Sequence, residues 1–380
     1  MTVEASAWKI SLSDIDLGPE EEAAVVDVLR SRWLTSGPRI AEFETRFAER
    51  VGARHAVALG NCTQALHLAL LAVGVGPGDE VVVPSLTFVA TVNAVLYCGA
   101  QPVFADIEGP ESLLLDPEDV RRKMSPKTRA IVPMHYGGYA CDMERFSALA
   151  AEHGAHLVDD AAHAPGASYR GRPVGSLAEA SCFSFFGNKN LVTGEGGMVT
   201  TDSDAVAEFV KRQRSHGMTA ASYDKHRGHA FSYDVVTPGY NYRLTEMQAA
   251  LGLVQLGKLD RNNARRRALV ASYRERLAGV PGLVVPFPGR DPESSCHVFV
   301  VVLPDGTDRS AVQAALKAQG IQTSIHYQPV HRFTRFRDAF RADVPRLEAI
   351  ADRLLTLPLH PRMTPEDVAF VATSLREALA

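Results

Sequence analysis

The sequence is poor in cysteine, and the cysteines that it has form no recognised motif. There are five in 380 residues, widely spaced at Cys62, Cys98, Cys141, Cys182 and Cys296. Neither a Cys-x-x-Cys pair nor a close Cys/His spacing indicates a metal site, so we predict none. Free thiols are typical of a reducing compartment, and we therefore expect a cytoplasmic protein.

The sequence also lacks a long apolar run and an excess of charge. Its most apolar long stretch, 81–100, is interrupted by Pro84, Ser85 and Asn93, which is typical of a strand and a helix rather than a membrane span. The N-terminus has neither a basic start nor an apolar core, so no signal peptide is predicted. Lys and Arg number 40 against 44 for Asp and Glu, which favours neither a nucleic-acid nor a membrane partner.

What the sequence does contain is an alternation of short apolar runs with helical patterns. The runs that predict strands are 55–59, 81–83, 102–106, 130–133, 156–159, 182–186 and 197–201. This alternation predicts a three-layer α/β/α domain around a mostly parallel sheet, in which ligands bind beyond the carboxyl ends of the strands. Near residue 283 the pattern changes, with predicted strands at 298–303 and 322–327. We therefore predict a large domain over 1–250 and a smaller C-terminal α/β domain over 251–380.

Two polar features follow predicted strands. Gly60-Asn61-Cys62-Thr63 separates a strand from a helix, an arrangement that aims backbone N–H groups at an anion. The alternative there is an ordinary helix N-cap. Asp159 and Asp160 stand at the end of another strand, where a carboxylate either holds a cation in a site or caps a helix and faces solvent. Spacing alone does not decide between these interpretations.

A third feature is Lys189, in a Gly- and Asn-rich loop between the runs 182–186 and 197–201. Lysine is rarely buried without a partner. This side chain therefore either extends outward to solvent or is buried because its amine has a chemical role. A desolvated amine with a lowered pKa can form a Schiff base with an aldehyde. The anion-binding helix start, the carboxylate, the lysine and the aromatic Phe88 together meet the requirements of pyridoxal phosphate.

These features belong to longer motifs that resemble the DegT/StrS-type sugar aminotransferases over nearly the whole chain. The motifs are Trp33-Leu34-Thr35-Ser36-Gly37-Pro38, Gly60-Asn61-Cys62-Thr63-Gln64-Ala65-Leu66, Pro84-Ser85-Leu86-Thr87-Phe88-Val89-Ala90-Thr91, Asp159-Asp160-Ala161-Ala162-His163, Ser184-Phe185-Phe186-Gly187-Asn188-Lys189, Gly194-Glu195-Gly196-Gly197, Gly239-Tyr240-Asn241-Tyr242-Arg243-Leu244-Thr245-Glu246, His326-Tyr327-Gln328-Pro329 and Leu357-Pro358-Leu359. The resemblance implies a pyridoxal-phosphate-dependent transferase with the aspartate-aminotransferase fold, fold type I.

The resemblance also implies roles for individual residues at the cofactor. Lys189 corresponds to the Schiff-base lysine, which is also the catalytic proton carrier, and Asp160 to the partner of the pyridinium nitrogen. His163 resembles the residue that hydrogen-bonds the ring hydroxyl, and Phe88 resembles the stacking ring. The implied phosphate cradle consists of Cys62, Thr63 and Ser184.

Further implied residues concern the assembly and the substrate. Asn241 resembles a residue that reaches the phosphate in the neighbouring subunit's site, which implies a homodimer with shared active sites. The residues implied at the substrate mouth are Thr35, Ser36, His326 and Tyr327. The role of Asp159, which is often Glu in relatives, stays open.

The implied activity depends on positions 189 and 195. Lys189 favours transamination, because relatives with His at this position are dehydratases. Glu195 favours amination at C4 of a nucleotide-linked 4-keto-6-deoxyhexose, since relatives that aminate C3 tend to have Asp. We expect L-glutamate to donate the amino group. Pyridoxamine phosphate would be the intermediate form of the cofactor. The alternatives are an aminocyclitol (scyllo-inosose type) aminotransferase, which shares the Glu form, and a non-catalytic regulator that binds pyridoxal phosphate.

Overall fold

The computed structural model describes residues 8–219 and 232–380. The strands of these ranges, numbered in chain order, are β1 (His55–Leu59), β2 (Glu80–Pro84), β3 (Gln101–Ala105), β4 (Ile107–Gly109), β5 (Ser112–Leu115), β6 (Thr128–Ile131), β7 (His156–Asp160), β8 (Ser168–Tyr169), β9 (Arg172–Pro173), β10 (Ala180–Ser184), β11 (Gly197–Thr201), β12 (Phe299–Val302) and β13 (Leu354–Leu357). Their α-helices are Pro19–Ser31, Pro38–Val51, Cys62–Ala72, Val89–Tyr97, Pro117–Lys123, Met143–His153, Asp204–Gln213, Glu246–Leu277, Arg309–Ala318, Thr334–Arg337, Pro345–Glu348 and Pro365–Ala378.

Seven of the strands form the central sheet, in the order β1-β11-β10-β7-β6-β2-β3. The neighbours from β10 to β3 are parallel, whereas β11 runs antiparallel to both β1 and β10. The predicted α/β class with a mostly parallel sheet is therefore confirmed. Because β11 returns beside β10, the loop that joins them, which carries Lys189, stays at one edge of the sheet.

Both faces of the sheet are covered, which explains why its strands are apolar runs rather than alternating ones. Val82 packs in a core on one face together with Phe43 and Phe183. Its neighbours Val81 and Val83 pack in a second core on the opposite face, against the helices Cys62–Ala72 and Val89–Tyr97. The sheet is thus the middle of three layers, as predicted.

The strand ends bring the polar motifs together. β2 ends at Pro84, β7 at Asp160 and β10 at Ser184, and parallel strands place these carboxyl ends on a common edge. The β7–β10 register pairs Asp160 with Cys182, so the aspartate lies two residues from the start of the Lys189 loop on the adjacent strand.

The C-terminal part has its own small sheet and core. β12 and β13 pair antiparallel. The ring of Phe299, on β12, stacks at 4.5 Å on that of Tyr273 in the helix Glu246–Leu277, and both rings belong to the core of this part. The strand predicted at 322–327 is wrong, because the backbone of this segment pairs with that of β13 at a single isolated bridge, from Ser324 to Thr356. Beyond that bridge it turns toward the central sheet.

One helix of 32 residues, Glu246–Leu277, joins the two parts of the chain. It packs against Pro19–Ser31, Pro38–Val51 and Pro365–Ala378. The boundary predicted between residues 250 and 251 falls inside this helix, and the division into two domains stays a prediction. Across the described ranges, no helix has both the length and the apolarity that a membrane crossing requires.

Candidate active site

A cavity of about 450 Å³ lies at the carboxyl edge of the sheet. Its volume is in the range of small-molecule sites. Glu195 is among the residues that line it, and nine residues predicted for the site do so as well: Cys62, Thr63, Phe88, Asp160, His163, Ser184, Lys189, His326 and Tyr327. Phe88 is 52% exposed, and its ring centroid is 5.8 Å from that of Tyr327.

Asp160 presents a buried carboxylate to the cavity. The residue is 2% exposed. Thr91 Oγ1 donates to its Oδ2 at 2.7 Å, and the Ala162 backbone N–H donates to its Oδ1 at 3.0 Å. Burial raises the pKa of Asp160 above its ordinary value, while these hydrogen bonds and the Lys189 charge act in the opposite direction. A cation placed beside this carboxylate would remove the cost of burying its charge.

Asp159 points to the other face of the sheet, since successive side chains of a strand alternate. It is 0% exposed, accepts a hydrogen bond from Ser181 Oγ at 2.9 Å, and lies 3.5 Å from His135 Nε2. It does not line the cavity. The geometry therefore assigns the cavity-facing carboxylate to Asp160 and leaves Asp159 in a buried cluster beneath the sheet.

Lys189 extends its amine into the cavity from the β10–β11 loop. The loop is fixed by backbone hydrogen bonds, including Lys189 N–H to Phe186 O at 2.9 Å and Thr193 N–H to Phe185 O at 2.8 Å. The residue as a whole is half-buried, but the surroundings of its amine are dense. Burial lowers the pKa of the Lys189 amine to about 8, and the Asp160 charge opposes part of that shift. An amine in this state is neutral often enough to act as a nucleophile or a base near neutral pH.

His163 stands between the cavity and the loop that follows β6. Its Nδ1 accepts from the Gly137 backbone N–H at 3.2 Å, so the proton of a neutral ring is on Nε2, which lies 2.8 Å from the Tyr327 hydroxyl. Burial lowers the pKa of His163 well below its usual range. The ring is therefore a neutral hydrogen-bond donor on the wall of the cavity.

The helix Cys62–Ala72 points its N-terminus at the cavity. Asn61 caps it by accepting the Gln64 N–H at 3.0 Å, and helix geometry leaves the N–H groups of Cys62 and Thr63 without intrahelical partners. β11 passes close to this helix start because Gly197 has no side chain: a Cβ there would lie 2.4 Å from the Asn61 carbonyl carbon. Glycine at this position therefore allows the Lys189 loop to lie beside the N-terminus of a helix, where an anion can bind.

Three predicted residues do not line the cavity: Thr35, Ser36 and Asn241. The turn that contains Thr35 is closed by a hydrogen bond from the Trp33 indole to the Ser36 carbonyl at 3.0 Å. Asn241 is exposed, and its backbone pairs with Ser215. The roles implied for these three residues remain predictions.

Sequence reasoning missed two residues that touch the key groups. Thr91 orients Asp160 through its hydroxyl, although the two residues are 69 positions apart in the chain. His297 Nε2 lies 3.4 Å from Lys189 Nζ, yet 108 residues separate the two in the chain. No local pattern predicts such a contact.

Comparison with known proteins identifies the same family over most of the chain. The model of the DegT/DnrJ/EryC1/StrS aminotransferase family matches residues 16–376. The spore coat polysaccharide biosynthesis protein SpsC of Bacillus subtilis (strain 168) is 41% identical over 369 residues, which covers 95% of this chain and 95% of that protein.

Solved structures share the fold. Spr1654 of Streptococcus pneumoniae, a sugar aminotransferase solved in its pyridoxamine phosphate form, has a TM-score of 0.90 and 30% identity over 97% of this chain and 98% of its own. The same protein is known in its pyridoxal phosphate form. DesI, solved in the presence of its TDP-sugar product, has a TM-score of 0.88 and 33% identity over 98% of this chain and 93% of its own.

The residues of the cavity fit pyridoxal phosphate. They supply a buried carboxylate, a desolvated amine, an exposed aromatic face and a helix start with free N–H groups, which are what the cofactor requires. The Oδ1 atom of Asn188, on the cavity wall, is buried and has no hydrogen-bond partner among the described residues. Pyridoxal phosphate, with pyridoxamine phosphate as its second form, is therefore the cofactor, and the chain, a pyridoxal-phosphate-dependent aminotransferase of fold type I, belongs to the DegT/DnrJ/EryC1/StrS aminotransferase family.

Proposed function

We propose that the protein transfers the amino group of L-glutamate to C4 of a nucleotide-linked 4-keto-6-deoxyhexose. The observation that carries the proposal is Glu195, which lines the same cavity as Lys189 and is the residue type typical of relatives that aminate C4. Its carbonyl accepts hydrogen bonds from Thr193 Oγ1 at 2.6 Å and Gln248 Nε2 at 2.7 Å, so its backbone is fixed while its side chain is exposed at the mouth. The TDP-sugar product of DesI supports a nucleotide-linked substrate.

The chemistry divides between the cofactor and the chain. Pyridoxal phosphate, when bound, supplies an aldehyde that takes up the amine and a ring that withdraws electrons from the reacting carbon. Lys189 would hold the cofactor as a Schiff base and, once free, move the proton between the two reacting carbons. Asp160 would keep the ring nitrogen protonated, because a buried opposite charge favours the charged form.

The remaining cavity residues would bind and orient. The Cys62 and Thr63 N–H groups, with Ser184, would hold the phosphate at the helix start, Phe88 would cover one face of the ring, and His163 would donate a hydrogen bond to the ring hydroxyl. His326 and Tyr327 lie where a substrate enters. Thr35 and Ser36 would join them only if a second subunit brings them near.

We also propose a homodimer with shared active sites. Asn241 is exposed in the single chain and does not line the cavity, although the residue that it resembles in relatives reaches the phosphate. Both facts fit a side chain that reaches the site of a second copy, where its amide would satisfy an anionic oxygen without adding charge. All five cysteines are free and buried, which supports our proposal of a cytoplasmic location.

The substrate is tested with a panel of ketones, each incubated with L-glutamate and followed by mass spectrometry. The panel contains 4-keto and 3-keto deoxyhexoses linked to TDP, GDP or UDP, and scyllo-inosose. We expect 2-oxoglutarate and a 4-amino sugar in equal amounts from one nucleotide-linked 4-ketone, and no product from Lys189→Ala. Amination of a 3-ketone would contradict the C4 assignment, and amination of the inosose alone would replace the sugar by an aminocyclitol.

A further inference from the structure

His297 precedes β12 and reaches the Lys189 amine from the C-terminal part of the chain. It is 4% exposed, its backbone N–H donates to Gly137 O at 2.8 Å, and its ring centroid lies 4.3 Å from that of His163. Its Nε2 lies 3.4 Å from the Lys189 amine. The role of this contact depends on which ring nitrogen carries the proton.

A chain of side-chain amides decides that question. Asn263 Nδ2 donates to Pro165 O at 2.9 Å, which leaves its Oδ1 to accept from Asn190 Nδ2 at 2.7 Å. Asn190 Nδ2 also donates to Ser295 O at 2.7 Å. Both hydrogens of the Asn190 amide are thereby used, so its Oδ1 is an acceptor for His297 Nδ1 at 2.9 Å. A neutral His297 therefore carries its proton on Nδ1 and leaves the lone pair of Nε2 free.

Other groups keep this ring neutral. Burial lowers the pKa of His297 well below its usual range, and the charges of Lys189 and Arg266 add to the effect. Arg266 itself is held against the His297 carbonyl by a hydrogen bond of 3.2 Å from Nη1. The ring thus faces the Lys189 amine as a fixed acceptor.

We propose that His297 is a positioning residue for Lys189: its Nε2 accepts a hydrogen bond from the lysine amine whenever that amine is not bound to the cofactor, and so fixes the position of the free amine. The inference rests on the proposed Schiff-base role of Lys189. It assigns the amide chain a function, because a ring with the opposite tautomer would turn an N–H toward the amine.

The proposal predicts that the pKa of the Lys189 amine falls when His297 is removed. A hydrogen bond to an ammonium favours the charged form, so its removal lowers the amine pKa. For a bond of this length we expect a fall of about one unit. The other groups that shift the pKa of either partner would stay in place: Asp160, Cys62, His163, His326 and Arg266.

The test uses the enzyme converted to its pyridoxamine phosphate form with L-glutamate, in which Lys189 is a free amine. Its pKa is measured by competitive acetylation at a series of pH values, with mass spectrometry of the peptide that contains Lys189. We expect a fall of about one unit in His297→Leu, recovery toward the wild-type pKa in His297→Gln, whose amide oxygen can accept from the amine, and no change in His360→Gln. His360 is a matched control, since it is a buried histidine with a pKa lowered to about 4, and Lys189 is not among the groups that shift this pKa.

An unchanged or raised pKa in folded His297→Leu protein that retains cofactor would overturn the proposal. If that variant does not fold, Asn190→Ala decides instead, because it removes the acceptor for Nδ1 and frees the ring to turn an N–H toward Lys189. An unchanged Lys189 pKa in Asn190→Ala would then overturn it. Failure of the assumed Schiff-base role looks different: borohydride would attach the cofactor to a peptide without Lys189.

Discussion

Replacement of Asp160 by Asn tests most directly whether this carboxylate keeps the nitrogen of the cofactor ring protonated. The amide has the same shape and keeps one oxygen for the Ala162 N–H, but it carries no charge to pair with a protonated ring nitrogen. Removing one partner of a buried ion pair costs about 3–5 kcal/mol, and Asp160 is 2% exposed. Since one hydrogen bond survives, we expect a cost just below that range: a rate loss of at least about a hundredfold, or roughly 2.7 kcal/mol.

A milder change tests the same argument at an intermediate level. Thr91→Val removes the hydroxyl that donates to Asp160 Oδ2 at 2.7 Å and keeps the shape of the side chain. A hydrogen bond to a charged group contributes about 1.5–3 kcal/mol; because Asp160 keeps its charge, we expect the low end of this range, a rate loss of about tenfold. Thr87→Val is the matched control. It removes a hydroxyl that bonds Thr91 Oγ1 and Met134 Sδ but not Asp160, and its effect should be small.

The assay is steady-state kcat/KM for both substrates, with cofactor content measured on the same samples. Asp160→Asn should retain cofactor, so that the loss lies in the rate. Near-normal turnover in Asp160→Asn would refute the assignment of the ring nitrogen to this carboxylate. Equal losses in the Thr87 and Thr91 variants would show that packing, rather than the bond to Asp160, is being measured.

Two further predictions concern assembly and packing. Lys189→Ala and Asn241→Ala proteins, each defective alone, should recover about a quarter of wild-type activity after random subunit exchange, since half of the dimers are mixed and each has one intact site; no recovery despite exchange would place both residues in the same subunit's site. Gly197→Ala should lower the free energy of unfolding by about 1–3 kcal/mol, because its Cβ would lie 2.4 Å from Asn61 backbone. Gly257→Ala, with open space around its Cβ, should instead raise it by about 0.5–1 kcal/mol, and equal effects in denaturant unfolding would contradict the packing argument.

The architecture of the large part of the chain was predictable because its signals are local. Each strand of the central sheet is a short apolar run, and burial on both faces produces such runs directly. The segment 322–327 shows the limit of this reasoning. Its pattern resembles that of a strand, but its backbone pairs with β13 at one position, Ser324 with Thr356. Whether a segment finds a strand to pair with depends on residues elsewhere in the chain, which its own pattern does not show.

The candidate site was predictable where a motif lies at a strand end and unpredictable where contacts cross the chain. Lys189, Asp160 and the helix start at Cys62 each follow a strand of the sheet, so topology alone brings them together. His297 comes from the C-terminal part of the chain and contacts Lys189 across 108 residues of sequence. The hydrogen bond that fixes its tautomer is made with Asn190, which is in turn held by Asn263. Asn190, Asn263 and His297 are far apart in sequence, and only the packed structure reveals their contacts.

The central claim is that Lys189 binds the cofactor. Borohydride reduction of the holoenzyme, followed by proteolysis and mass spectrometry, tests it most directly, because reduction makes the link between the lysine and the cofactor permanent. We predict that the cofactor is found on the peptide that contains Lys189, and that Lys189→Ala yields no labelled peptide. Attachment of the cofactor to any other lysine of the wild-type protein would contradict the account.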